Sequence, residues 1–242
     1  MSTINLRKDL VSQIATKKGI GNIKAQVVLV LDYSGSMEGM YNSGFVQRVI
    51  ERLVPVAMQF DDNGEMELYL FQNSCMKHPK NVTASSVDGI VKREILGKYS
   101  WGGTAYAPPI KKILEDYVPQ AVQEKKSMFG SMFGGKPNVT GNTKDPVYVI
   151  FVTDGDNSDK SNAEEAIKEA SKYGVFFQFV GIGNASMAFL DRLDTMEGRV
   201  VDNANFQQFN DIDKIDDTTL YENLLTEFPG WINLAKNAGI LS

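Results

Sequence analysis

The spacing of apolar positions changes period several times along the chain, and each change marks an element. Leu6, Leu10 and Ile14 share one helical stripe with Val11 beside it, which predicts a helix over residues 5–17. GIGN at 19–22 ends that helix. QVVLVL at 26–31 is a continuous run rich in β-branched residues, the pattern of a strand covered on both faces. Val46, Val49, Ile50, Leu53, Ala57 and Phe60 then recur at helical spacing, with Pro55 expected to kink the helix. DDNG at 61–64 reads as a turn and MELYLFQ at 66–72 as the next strand. CMKHPKNV suggests an antiparallel partner for it, because Pro79 suits the edge of a sheet and not its middle.

A short helix is expected over 86–96. A clearer one carries Ile110, Ile113, Leu114, Tyr117 and Val118 at amphipathic spacing, with Pro108 and Pro109 in its first turn. VYVIFV at 147–152 and VFFQFVGIG at 175–183 repeat the doubly buried pattern. Between them Ala163, Ala166, Ile167 and Ala170 face inward from a helix. SMAFLDRLDTM reads as another helix and RVVD as a short strand. Thr219 and Glu222 form a capping-box pattern opening the helix LYENLLTEF, and Pro229-Gly230 separates it from a last helix, WINLAKNA.

Strands alternating with helices at this spacing predict an α/β fold with a parallel sheet covered on both faces. The expected organisation is a single domain, with a core over about 24–205. The N-terminal helix 5–17 and the C-terminal helices 219–239 are expected to pack on it. Residues 124–145, rich in glycine, serine and lysine without a period, read as a mobile surface loop.

Composition narrows the function classes. A chain of 242 residues buries roughly 70% of its unfolded surface and needs no covalent staples. Its net charge of −5, from 25 basic and 30 acidic residues, offers no basic field for nucleic acid. One cysteine, Cys75, leaves neither an intramolecular disulfide nor a C-x-x-C motif. No stretch approaches about 18 consecutive apolar residues, and MSTINLRKDL has charges where a signal peptide needs apolar residues. A cytoplasmic setting is expected.

The candidate chemistry begins where QVVLVL stops. The chain passes from buried residues into DYSGS, placing Asp32, Ser34 and Ser36 at alternate positions just past a strand. Thr104 follows a Gly-Gly turn before a helix, and Asp154 follows the strand VYVIFV. In an open α/β sheet ligands bind beyond the carboxyl ends of the strands, where the strand order reverses. Two carboxylates and three hydroxyls form a hard-oxygen set suited to Mg2+, Mn2+ or Ca2+ and not to zinc or copper.

D-x-S-x-S after the first strand, a later GGT threonine and an aspartate in TDG resemble the von Willebrand factor A (VWA) domain and its metal-ion-dependent adhesion site (MIDAS). The resemblance spans about residues 24–205 and all five positions. It implies a doubly wound, mostly parallel six-stranded sheet with one antiparallel edge strand. It also implies a Mg2+ held by Ser34, Ser36 and, in one state, Thr104, with Asp32 and Asp154 acting directly or through water. The N-terminal helix, LDYSGSM and FDDNG look closest to bacterial members associated with tellurium resistance and stress response. The function implied is a metal-dependent protein-interaction module, not an enzyme. A partner's Asp or Glu would replace a water on an ion whose sphere the protein leaves incomplete.

Each motif also has a plainer reading. DYSGS alone reads as a helix-capping turn; with Thr104 and Asp154 at the matching element ends, the metal reading prevails. DGDNSDKSNAEE imitates a calcium loop, yet Asp159 stands where that loop needs glycine, so Asp156 and Asp159 read as solvated loop acids, Asp156 also as a partner contact. His78, the sole histidine, is expected at the surface of an edge strand. GIGNAS lacks the third glycine of a dinucleotide fingerprint. Trp101 reads as a packed loop anchor that also flanks a ligand, while Met37 and Tyr41 are expected to shape a partner's footprint. The competing class is a metal-dependent hydrolase or phosphotransfer enzyme using the same acids. It lacks a general base and a phosphate-holding cation in the motif loops, and hydrolysis assays on Asp32 and Asp154 variants discriminate the two. Direct binding of tellurium oxyanions finds little support in one cysteine and no basic cluster.

Overall fold

The computed structural model describes residues 2–118, 145–155 and 157–242. Asp156 and residues 124–144 of the expected surface loop lie outside the described residues.

The β-branched runs form the centre of a six-stranded sheet. Its strands are β1 (Gln26–Asp32), β2 (Glu67–Phe71), β3 (Cys75–Lys77), β4 (Val147–Thr153), β5 (Val175–Ile182) and β6 (Ala204–Phe209). Their spatial order is β3-β2-β1-β4-β5-β6, with β3 antiparallel at one edge and the other five mutually parallel. Alternation in β1 divides its side chains between two cores. Val27, Leu29 and Leu31 pack on one side with α1 (Thr3–Lys17), the short α2 (Glu38–Asn42), α3 (Phe45–Phe60) and the C-terminal helices. Val28 and Val30 pack on the other with α4 (Ala107–Tyr117), α5 (Lys160–Ala170) and α6 (Ala188–Thr195). A sheet buried on both faces explains why β1, β4 and β5 read as unbroken apolar runs. From β1 the chain goes outward to β2 on one side and later to β4 on the other. The crevice of a doubly wound sheet therefore opens beyond Asp32 and Thr153.

The elements differ from expectation in several places, each for a local reason. α1 buries Val11, Ile14 and Ala15, whereas Leu6 is 56% exposed, so the stripe that packs is rotated away from it. α3 runs through Pro55 as one helix, with the proline buried among its neighbours. The short helix expected over 86–96 is a single π turn, Val91–Ile95. RVVD is not a strand; β6 begins at Ala204, where pairing with Phe177 starts. α7 (Asp217–Leu224) is capped by Asp216, whose carboxylate accepts from Thr219 N at 2.9 Å, in place of the expected Thr219–Glu222 box. Pro229 and Gly230 lie inside the first turn of α8 (Phe228–Asn237), where a missing amide hydrogen costs little.

The terminal helices share the α3 core through a buried charge cluster. Arg52, 6% exposed, donates from Nη2 to Asp217 Oδ1 at 2.8 Å and to the Ile215 carbonyl at 2.7 Å. Its Nη1 donates to the Ile212 carbonyl. Arg7 on α1 donates to the other Asp217 oxygen at 2.9 Å, and Tyr221 OH donates to the Arg52 carbonyl at 2.9 Å. Among the described residues, no helix is long and apolar enough to cross a membrane.

Candidate metal site

The two central strands deliver two side chains to the same place. Asp32 continues the Val28–Val30 stripe of β1, and Thr153 ends the Val147–Val149–Phe151 stripe of β4. Thr153 Oγ1 donates to Asp32 Oδ2 at 2.6 Å, and Ser34 N donates to Asp32 Oδ1 at 2.8 Å. Asp32 is fully buried. Burial pushes its carboxyl up to about 6, against the opposing pull of these hydrogen bonds. Thr153 escaped the sequence reading, although TDG contains it. The signal available was its period-2 spacing from Phe151, which places it on the face of Asp32.

The remaining oxygens converge just outside. Ser34 Oγ and Ser36 Oγ are 3.0 Å apart, and Ser36 Oγ donates to Asp154 Oδ1 at 2.9 Å. Asp154 is half-buried, and its carboxyl is raised by burial, with the Ser36 hydrogen bond opposing. Thr104 takes no part in this hydrogen-bonded chain, but its loop is tied to the others through the backbone. Gly35 N donates to the Gly102 carbonyl at 2.9 Å, and Ser158 N and Oγ both donate to the Thr104 carbonyl at 2.9 Å. Ala105 N donates to the Gln72 carbonyl at 3.1 Å. The Gly102-Gly103 pair passes close to the Gln72 and Asn73 side chains, which a Cβ there would displace. A Cβ at Gly102 would overlap the Gln72 side chain, and one at Gly103 would sit 2.6 Å from Asn73 Oδ1.

Several residues stand elsewhere than expected. Met37 and Tyr41 are 0% and 1% exposed, so neither shapes a partner's footprint. Tyr41 is instead a support, its OH donating to the Asp32 carbonyl at 3.0 Å. Asp159 is no solvated acid: Oδ1 accepts from Tyr106 N at 2.8 Å and Oδ2 from Ala107 N at 2.9 Å, capping α4 from another loop. It thereby joins the Asp154 loop to the Thr104 loop. His78 lies beyond β3 and is 2% exposed, its Nδ1 against the Lys80 backbone. Trp101 is half-buried and stacked on Tyr33. Burial pushes the Cys75 thiol up to about 12, so it carries no thiolate at neutral pH.

Among the described residues no three His, Cys, Asp or Glu side chains gather where they could hold a metal ion. The set at this crevice has two carboxylates, and its other oxygens are hydroxyls. Among the described residues no basic group offsets Asp32 or Asp154; each is met by hydroxyls, and Asp32 also by the Ser34 N–H.

The comparison with known families decides the class. Residues 24–133 and 135–241 match the vWA-TerF-like family, described as the vWA found in the TerF C terminus. The chain belongs to that family. Protein YcbR of Bacillus subtilis is 38% identical over 244 residues, covering 100% of this chain and 91% of the relative. Two solved structures share the VWA architecture. The von Willebrand factor type A protein from Catenulispora acidiphila has a TM-score of 0.51 at 15% identity, covering 86% of this chain and 42% of that one. Proximal thread matrix protein 1 from the mussel byssus has a TM-score of 0.51 at 17% identity, covering 88% and 48%. At those identities the likeness shows the fold alone, and this chain spans less than half of either. The six-stranded sheet with one antiparallel edge is thus the VWA fold.

Proposed function

We propose that the chain is a divalent-metal-dependent protein-interaction module, acting as one unit over residues 1–242. Its Mg2+ would be held by Ser34, Ser36, Asp154 and Thr104, with Asp32 behind them. The observation that carries this reading is the convergence of hydroxyl and carboxylate oxygens beside a buried acid that no cation among the described residues offsets. Magnesium demands octahedral oxygens at 2.0–2.1 Å, which sets neighbouring ligands about 2.9 Å apart. The Ser34–Ser36 and Ser36–Asp154 separations of 3.0 and 2.9 Å are hydrogen-bond lengths, and they bring these oxygens close enough together to share one ion.

The ion would supply a positive centre with exchangeable water, which a partner's carboxylate displaces. The chain's own residues do the rest. Thr153 and the Ser34 N–H fix both Asp32 oxygens, so this buried acid would act on an ion through its charge and through water. Ser36, which donates to Asp154, would have to turn its hydroxyl to offer an ion a lone pair. Membership of the vWA-TerF-like family supports placing the module in tellurium-resistance or stress-response systems, and a cytoplasmic setting belongs to the same proposal.

The test is a titration of the purified chain with Mg2+, Mn2+ and Ca2+, followed by thermal melts and by capture from native lysate. Mg2+ should raise the melting temperature of wild type and leave that of Asp154→Ala unchanged. A partner should be retained by wild type in Mg2+ alone, and not in chelator or by the variant. A wild type whose melt ignores every divalent ion would sink the reading.

A further inference from the structure

We infer that Trp101 is a positioning residue for this site, fixing Thr104 against the β1 loop. The inference rests on the metal reading above. Thr104 is the one proposed ligand outside the Ser34–Ser36–Asp154 chain, and it sits on a separate loop directly after two glycines. Glycine backbones are the least restrained, so this segment does not hold its own conformation. Its place comes from contacts: Ser158 N and Oγ both donate to the Thr104 carbonyl and Gly35 N to the Gly102 carbonyl, each at 2.9 Å, and further anchors lie on either side. After Thr104 the anchor is the Ala105 N to Gln72 carbonyl hydrogen bond.

Before Thr104 the anchor is aromatic. The Trp101 ring lies 3.9 Å from Tyr33 at an interplanar angle of 10°, a face-to-face stack. It also meets Tyr41 edge-on at 5.4 Å and 67°. Both tyrosines belong to the segment that carries the site. Tyr33 lies between Asp32 and Ser34, is 2% exposed and donates N–H to the Phe71 carbonyl at 2.7 Å. Tyr41 holds the Asp32 carbonyl. Gly102 then pairs with Ser34 as an isolated parallel bridge. Trp101 is therefore clamped to the residues flanking Asp32, and the chain has three residues in which to reach Thr104. A parallel stack together with an edge contact fixes the orientation of a ring, which generic apolar burial does not. The effect of Trp101 on the ion is assigned to Thr104; a route through Tyr33 or Tyr41 would instead add to the Thr104→Ala loss in the double variant.

The experiment measures Mg2+ affinity on the full chain for wild type, Trp101→Ala, Trp101→Phe, Trp101→Leu, Thr104→Ala and the Trp101→Ala/Thr104→Ala pair. Supports of metal ligands typically weaken affinity 10–100-fold when removed. Trp101→Ala should weaken Mg2+ about 10-fold, Trp101→Phe should restore most of it, and the pair should bind no worse than Thr104→Ala alone. Effects that add in the pair, or wild-type affinity in Trp101→Ala, would overturn the inference. If Trp101→Ala does not melt cooperatively, Phe against Leu decides. A stacking ring should keep affinity that an equally apolar, unstacked side chain loses, and equal affinities would overturn it. Failure of wild type itself to bind any divalent ion would remove the metal reading and this inference together. Binding by wild type with an unaffected Trp101 set would remove the inference alone.

Discussion

Asp32 and Asp217 sit in two parts of the molecule that treat a carboxylate in opposite ways. Asp217, at the start of α7, is met by Arg52 at 2.8 Å and Arg7 at 2.9 Å. Its charge is matched in place, and the cluster is complete as folded. Asp32, at the end of β1, is more deeply buried and is met by a hydroxyl and one backbone N–H. Burying an acid without a counter-ion favours its protonated form, which is why this carboxyl is pushed up to about 6. The fold supplies two guanidinium groups at one aspartate and, among the described residues, none at the other; under the proposed metal reading the second charge is matched from outside. The contrast teaches that a binding site shows itself as an electrostatic deficit as much as a motif.

The comparison breaks first at the matched pair. Asp217→Ala should destabilise the chain by about 3 kcal/mol, because it leaves the Arg52 guanidinium buried with only carbonyls to accept from it. Denaturant melts should show this loss equally in Mg2+ and in chelator. A loss that vanished in one of the two would mean the clusters are coupled, and the contrast between them false. Asp154→Ala is the complementary test. With Mg2+ at 100 times its dissociation constant, wild type should gain about 2.7 kcal/mol that the variant does not. In chelator the variant should melt within about 0.5 kcal/mol of wild type, since a half-buried acid held by one serine contributes little.

The sequence carried the sheet and the oxygen side chains gathered at its crevice far better than their supports. Strong β-branched runs located β1, β4 and β5 because a strand covered on both faces has almost no freedom in composition. Asp32, Ser34, Ser36 and Asp154 were visible because they break such runs abruptly. What could not be read was the direction of side chains within short irregular segments. Met37 and Tyr41 follow DYSGS closely and are still buried, since past the turn Gly35–Met37 the chain brings Tyr41 OH back to the Asp32 carbonyl. Asp159 was mistaken for a solvated acid because its hydrogen-bond partners, Tyr106 N and Ala107 N, are more than fifty residues away. Leu6 has the right period and the wrong face, an ambiguity that only the packing of α1 against α3 resolves.

Thr153 sharpens the contrast at smaller scale. Thr153→Val keeps the shape of the side chain and removes the donor to Asp32 Oδ2. Mg2+ affinity should fall about 10-fold, as for other residues that orient a ligand from behind. Calorimetric titration reads the change directly, and an unchanged affinity would mean that Asp32 is held well enough by Ser34 N alone.

The smallest effect expected lies at a third acid, Glu227, just before α8, which is neither matched nor part of the crevice. Burial, with Asp194 and Asp202 nearby, pushes its carboxyl up to about 7, while Arg199 pulls the other way. A carboxyl whose folded value is raised contributes stability that is fully present below its unfolded value, near 4.5, and is lost as pH rises through about 7. Wild type should therefore lose stability from this group between pH 5 and pH 8, and Glu227→Gln should flatten that part of the profile. The decisive condition is Mg2+. A deficit at the crevice should be relieved by the ion, whereas the slope due to Glu227 should be the same with Mg2+ and with chelator. If Mg2+ abolished both, uncompensated acids would be a general feature of this chain's surface chemistry, and the isolation of Asp32 would lose its meaning as the mark of a site.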